Sequence, residues 1–500
     1  MTPLPEGFGL ELDRSVRRFR DGTVLVGGHP GRLITLSADG VAALDGLLRG
    51  APASAGARQL AGRLVEAGMA HPLVGGSSAH PLVGGKAAHL SPADVTVVVP
   101  AHDRIDDLEA CLASLSPESP PVVVDDGSAD PSAVAELCSA HGARLLRRHV
   151  NGGPAAARND GLEAVDTELV AFVDSDCTVT RGWLDPLVAL FADPSIGAVA
   201  PRILPRAASP RPAPAGRAPV LARYSEARSP LDMGAVPSEV GPQRLVRYLP
   251  SAALVVRRSA LAPPPDGAGP FDPGLRVGED VDLVWRLVAA GWRVRYEPSV
   301  TVGHREPDRW SDLVARRYRY GTSAGALARR HPGRLAPVDL RPWPTAVALA
   351  VAAGRPRSAA VALAAAARAL DRELGDHGIP FSQILRWTAG GVGWTLHGTA
   401  RAATMLGGPL VLLAVARGPR RARVLGTLAL TVPPVVEWWR QRPPLDPARW
   451  LAASIVDDTA YGLGVWTGCI ATRSWSPLIP SFHRSWSPAS DVPGAPPTAV

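Results

Sequence analysis

ELVAFVDSDCTV, residues 168–179, is the stretch whose reading decides the fold. Leu169–Val173 is an unbroken apolar run, the mark of a strand buried on both faces. It leads straight into Asp174-Ser175-Asp176. Alternate residues on an extended chain point the same way, so Asp174 and Asp176 can reach one site. Hard oxygen ligands at that spacing suit Mg2+ or Mn2+ held together with a substrate diphosphate. A solvated turn carries the same letters, but an Asp-x-Asp that closes a buried strand is better than chance.

Toward the N-terminus the same texture repeats. VVVPAHDR (97–104) closes a buried strand beginning at Val95, and VVVDDGS (122–128) closes a second. Helical patterns follow at 106–115 and 131–141, and a third strand is expected over 145–149. NGGPAAARNDG (151–161) then sets two glycines and a proline at a helix start, where backbone can approach a ligand and the helix N-terminus favours anions. This βαβα alternation predicts a parallel sheet with helices on both faces. In such sheets ligands bind beyond the carboxyl ends of the strands. His102, Asp103, Arg104, Asp125, Arg158, Asp174 and Asp176 all fall there. Singly, each of these turns reads equally well as surface structure.

Toward the C-terminus, strands are expected at 252–256 and 294–296, with a helix between them from Asp280 to Ala290. RVGEDVDLVWRL (276–287) opens that helix with Glu279 and Asp280. The pair either complements the helix dipole or supplies a general base for an incoming hydroxyl. His304 follows the last strand, either structural or a nitrogen ligand to a metal.

The flanks differ in kind. Residues 1–70 are expected to form a small α+β, winged-helix-like module, with Ser37 as the N-cap of its first helix. AHPLVGG occurs at 70–76 and again at 79–85, and this Gly/Ser/Pro-rich stretch, 71–93, reads as a linker. A solenoid is excluded, because two short copies build no core. Residues 205–219 read as a surface loop, and 476–500 as a disordered tail. The region 336–475 is Ala/Leu-rich and helical. Its uncharged runs at 402–416, 424–436 and 459–472 each fall short of the roughly 18–20 residues a spanning helix needs. The first two flank RGPRRAR (417–423). Buried core helices and an interfacial or re-entrant membrane hairpin both account for that pattern.

Composition narrows the classes. In 500 residues, 46% apolar and 20% charged, there is ample material for a core, which excludes a disordered chain. Fifty-one prolines and fifty glycines are spread through patterned sequence, and Lys86 is the only lysine, which reads as genomic codon bias. Four cysteines form no CxxC pair, which excludes a zinc ribbon and fits a reducing compartment. No basic-then-apolar opening marks a secretory signal, so a cytoplasmic protein, or one on the cytoplasmic face of a membrane, is expected. Net charge +7 suits an anionic membrane surface or a phosphorylated substrate. No nucleic-acid partner is expected, because no nucleic-acid motif accompanies the charge.

The ordered set VVVPAHDR, DDGS, NGGPAAARNDG, DSD and GED with WRL resembles the GT-A fold of inverting family-2 nucleotide-sugar glycosyltransferases, over about residues 94–325 of an expected domain at 94–335. The resemblance implies a Rossmann-like α/β core binding a nucleotide-sugar donor. Pro100, Asp103 and Asp125 would contact the nucleoside and Arg158 would face the nucleotide. Asp174 would approach the ribose or metal. Asp176, with His304, would bind Mg2+ or Mn2+. Asp280 would be the catalytic base, and Glu279 and Trp285 would face the acceptor. Asp125, Asp174, Asp176 and Asp280 are then expected to meet in one crevice. The family's processive members carry QxxRW, where this chain has RRYRYG (316–321), which leaves chain elongation open.

The opening residues 5–40 and RRYRYGTSAG (316–325) are similar, more narrowly, to the glycosyltransferases of mycofactocin biosynthesis. That likeness implies glucosyl transfer to a peptide-derived precursor, building a β-linked oligomer, and likens residues 1–70 to peptide-recognition modules of ribosomal-peptide pathways. The alternatives are a catalytically inert, membrane-docked peptide scaffold and a nucleotidyltransferase. The latter usually needs a Gly-rich activating loop where this chain has PAHDR.

Overall fold

The chain is described here by a computed structural model, over residues 3–74, 90–115, 120–206, 219–262 and 269–482. Most of the tandem-repeat linker, residues 207–218 of the loop expected at 205–219 and most of the expected tail lie outside those residues, and 205–206 belong instead to a strand.

The N-terminal module pairs β1 (Phe8–Leu12) with β5 (Ala70–Val74), and sets β2 (Arg17–Phe19), β3 (Val24–Gly27) and β4 (Arg32–Thr35) in a small antiparallel sheet. Helices α1 (Ala38–Leu48) and α2 (Ala55–Glu66) complete it. The Ser37 hydroxyl caps α1 by accepting from the Gly40 N–H at 3.1 Å. Leu10, Leu25, Leu44, Leu64 and Met69 fill its core.

The central sheet begins with β6 (Val95–Ala101), β7 (Val122–Asp126), β8 (Arg144–Arg148) and β9 (Leu169–Val173), with α3 (Ile105–Ser114), α4 (Pro131–Ala140) and α5 (Pro154–Glu163) between them. Their pairings are all parallel, in the order β9-β6-β7-β8. Val97 and Val99 pack on one face of β6 and Val98 on the other, as a doubly covered strand requires.

Beyond β9 the sheet is mixed. After β10 (Cys177–Thr178) and α6 (Leu184–Leu190) come β11 (Ile196–Arg206), α7 (Val220–Ala227), β12 (Ser238–Glu239), β13 (Ala253–Arg257), α8 (Glu279–Ala289) and β14 (Arg293–Arg305). The full order is β10-β14-β11-β13-β9-β6-β7-β8, with β12 also on β14. β13 runs antiparallel to both its neighbours, which corrects the wholly parallel expectation. β11 escaped the sequence reading, and only three residues of β14 were foreseen. Prolines explain both: the register jumps from Pro201↔Glu297 to Arg202↔Thr301 around Pro201 and Pro298, breaking the apolar run that signals a strand.

The C-terminal region is a helical layer of α9 (Trp310–Arg330), α10 (Pro342–Ala352), α11 (Pro356–Leu374), α12 (Phe381–Arg417), α13 (Arg420–Gln441) and α14 (Pro447–Thr472). These helices extend well past the uncharged runs read from sequence, because arginines and polar residues sit within them. Phe381–Arg417 is the one helix, among the described residues, long and apolar enough to cross a membrane by length and composition. α9 and α14 meet backbone to backbone. A methyl on Gly321 would collide with the Tyr461 carbonyl, and one on Gly464 with the Tyr318 carbonyl. Gly325 and Gly468 repeat the arrangement one turn on.

Candidate active site

The carboxyl ends of β6 and β9, the start of α8 and the helical layer border an open cavity of about 1740 Å³. Pro100, Arg158, Asp174, Asp176, Glu279, Asp280, Trp285 and His304 all line it. Asp103 and Asp125 do not belong to its lining. Asp103 closes the neighbouring turn: its N–H donates to the Ser128 hydroxyl at 2.8 Å, and its carboxylate accepts from the Ala129 N–H at 2.9 Å. Asp125 is wholly buried, accepting from the Ser128 N–H at 2.9 Å and paired with Arg147. Three of the four acids expected in one crevice therefore line it, and Asp125 braces the β7 turn. Asp126 holds the next motif in place, accepting from the N–H groups of Gly152 and Gly153 at 2.8 and 2.7 Å.

Arg158 is 2% exposed and lies inside the wall, not free toward a ligand. Its guanidinium donates to Asp174 Oδ1 at 2.6 Å and to Glu279 Oε1 at 2.8 Å. It thus ties the end of β9 to the start of α8. Burial works against its charge, but Asp174 and Glu279 outweigh that and hold its pKa above the ordinary value. Glu279 is pushed up to about 7 by burial and by neighbouring Asp280, against the pull of Arg158.

Asp280 accepts from the Val281 N–H at 2.8 Å and from the Ser251 N–H at 3.3 Å. Burial raises its pKa despite these donors, which moves a carboxylate toward the range a general base needs. Trp285 is 2% exposed and packs in the core with its indole N–H donating to the Arg247 carbonyl at 2.8 Å, so little of it faces the cavity.

β10 pairs antiparallel with β14 so that Cys177 faces His304, which sets the imidazole beside Asp176. His304 Nε2 stands 3.6 Å from Asp176 Oδ1, and Arg104 Nη1 3.4 Å from Oδ2. Burial raises the Asp176 pKa against both cations. For His304 burial disfavours the charged ring, but Glu306 and Asp176 outweigh it and raise the pKa. Among the described residues no three His, Cys, Asp or Glu side chains gather tightly enough to cage a metal. The Asp176 carboxylate is a fitting ligand for a hard cation that takes its remaining ligands from phosphates and water, as Mg2+ commonly does, and the imidazole nitrogen beside it is a softer donor.

Several cavity residues had no clear signal in the sequence. Arg319 and Tyr320 line both this cavity and an adjoining one that also touches Asp174 and Asp176. They belong to RRYRYG, whose first arginine is buried against Glu306 and whose second is buried against Asp457 of α14. Ser251 acts through its backbone, which no sequence pattern reveals.

Residues 96–250 match the family described as glycosyl transferase family 2. The pre-mycofactocin glycosyltransferase of Mycobacterium tuberculosis, in strains CDC 1551 and H37Rv, is 36% identical over 494 residues, covering 96% of this chain and 99% of that one. The poly-beta-1,6-N-acetyl-D-glucosamine synthase of Staphylococcus epidermidis is 22% identical over 43% of this chain and 50% of its own. Among solved structures, the mannosyltransferase PcManGT from Pyrobaculum calidifontis, in complex with GDP-Man and Mn2+, is 20% identical over 72% of this chain and 86% of that one, at a TM-score of 0.36.

Proposed function

The chain belongs to the pre-mycofactocin glycosyltransferases of glycosyl transferase family 2, and we propose that it moves glucose from a UDP-sugar onto a hydroxyl of pre-mycofactocin with inversion. Membership in a glycosyltransferase family sets aside the scaffold and nucleotidyltransferase alternatives. The observation that carries the finer reading is the shared cavity: Asp280 at the head of α8 and Asp174 and Asp176 at the end of β9 line it together, tied through Arg158.

The acceptor hydroxyl loses its proton to Asp280 as its oxygen attacks the anomeric carbon. The bond from that carbon to the diphosphate oxygen breaks on the opposite face, and the nucleoside diphosphate leaves with the electron pair. One displacement inverts the centre, and no enzyme nucleophile is needed. Asp176 and His304 would hold Mg2+ or Mn2+, which offsets the charge on the departing diphosphate. Arg158 keeps Asp174 and Glu279 in register and so aligns the two halves of the site. Repetition of the step would build a β-linked oligosaccharide.

Contact with an anionic membrane surface belongs to the same proposal. Leu410, Leu412 and Leu413 of α12 and Val424, Leu425 and Leu428 of α13 are exposed, and Arg417, Arg420, Arg421 and Arg423 sit at the tip between them. Apolar faces with a basic tip suit the headgroup region. Cosedimentation with anionic but not neutral vesicles is expected at low salt; equal recovery in the supernatant with both would remove this part. For the reaction itself, mass spectrometry of pre-mycofactocin incubated with UDP-glucose should show hexose additions and released UDP. Pyrophosphate release, or no mass gain with any nucleotide sugar, would overturn it.

A further inference from the structure

The N-terminal module is built into the catalytic cavity. Its turn His29–Pro30–Gly31 lines the same space as Asp280. Arg244 of the core latches that turn, donating to the His29 carbonyl and to the Glu66 carbonyl at the end of α2, both at 2.8 Å. Gly68 keeps the approach close: its φ is +67°, and a side chain there would meet Arg244 Nη1 at 2.7 Å. On the other flank, Val24 and Val26 of β3 pack with Leu370, Leu374 and Ile384 of the helical layer. Phe19 meets Trp387 of α12 edge to face at 6.1 Å. The module is therefore wedged between core and helices.

The segment that receives the module also reaches the reacting end of the cleft. From Arg244 the chain runs through Arg247, whose carbonyl takes the Trp285 indole N–H, to Ser251, whose N–H donates to Asp280. Arg247 and Tyr248 line the cavity on the way. The cavity's size leaves room for a second molecule: about 1740 Å³ exceeds the roughly 300–1,000 Å³ of a site for one small ligand.

We infer that the His29–Pro30–Gly31 turn is a specificity element that grips the uncharged, amide-bearing part of the acceptor while Asp280 takes its hydroxyl. This deepens the proposed function and rests on its assignment of Asp280. The chemistry of the turn fits such a ligand. Burial holds the His29 pKa below the ordinary value against the opposing pull of Asp13, with nearby His71 and Arg244 adding to the fall. A neutral imidazole offers one donor and one acceptor, the complement of an amide. Pro30 beside it offers apolar surface.

The test is steady-state transfer by the full-length protein with UDP-glucose and pre-mycofactocin as the probes. Arg244→Ala removes the latch. His29→Ala removes only the imidazole, because the latch uses the backbone carbonyl, so it keeps the inference testable if the first variant is unstable. Both are expected to raise the acceptor KM roughly tenfold, the loss of about one hydrogen bond, while the UDP-glucose KM stays within about twofold. An unchanged acceptor KM in soluble His29→Ala, or a donor KM that rises in step with it, would overturn the inference. Asp280→Asn separates the two ideas. If it still transfers sugar, the base assignment fails and this inference falls with it. If it is inactive while His29→Ala binds acceptor normally, only the role of the turn is lost.

Discussion

Arg158 and Glu279 lie 121 positions apart in sequence and meet through a 2.8 Å bond inside the wall of the large cavity. The same guanidinium reaches Asp174 at 2.6 Å. One buried cation thus fixes the distance between the strand end that carries the Asp-x-Asp turn and the helix that carries Asp280.

Arg158→Met should therefore act on stability as well as on turnover. It leaves the Glu279 carboxylate buried without its cation, Asp174 being about a third exposed to the cavity, and breaking a buried pair in this way costs about 3–5 kcal/mol. Denaturant unfolding would measure it; a variant within about 0.5 kcal/mol of the native protein would contradict the clamp.

Asp280→Asn should abolish sugar transfer while leaving nucleotide-sugar binding intact, since asparagine keeps the shape but cannot accept a proton. Calorimetric titration with UDP-glucose alongside product assays checks both halves. Transfer at the native rate would end the assignment of the base.

Asp176→Ala should lose the metal dependence of donor binding. In the native protein, EDTA should suppress turnover and Mn2+ or Mg2+ should restore it. Undiminished turnover in EDTA would remove the metal role of Asp176 and His304 together.

The N-terminal module offers a test remote from the chemistry. Asp13 is buried, and although burial disfavours its charge, the His71 imidazole at 2.9 Å and Ser15 prevail and draw its pKa down from 3.8 to about 2. A carboxyl depressed in the folded state stabilises it above the unfolded pKa, by about 2 kcal/mol for a shift of this size. That contribution fades as pH falls from 3.8 through about 2. Asp13→Asn should thus be less stable than the native protein near neutrality, with the gap closing as pH falls through that window. A gap that stays constant with pH would refute the pairing.

How far the sequence could be read follows from where the physics is local. Val95–Ala101 and Leu169–Val173 announce themselves because a doubly buried strand leaves no place for polar residues, and the turns that follow inherit their position. β11 and β14 hid because Pro201 and Pro298 break the pattern at a bulge that only pairing reveals. Asp174, Asp176 and Asp280 were legible as strand-end or helix-start acids. That Asp125 braces a turn against Arg147, that Arg158 is spent inside the wall, and that Arg244 latches the module all depend on partners distant in sequence.

The glycine seam between α9 and α14 bears on how substrate enters. Because the two backbones touch at Gly321 and Gly464, neither helix can slide along the other without atoms overlapping. A roof so fastened is a poor candidate for a door. Substrate then has to enter past other parts of the cavity's lining, among them the turn at His29.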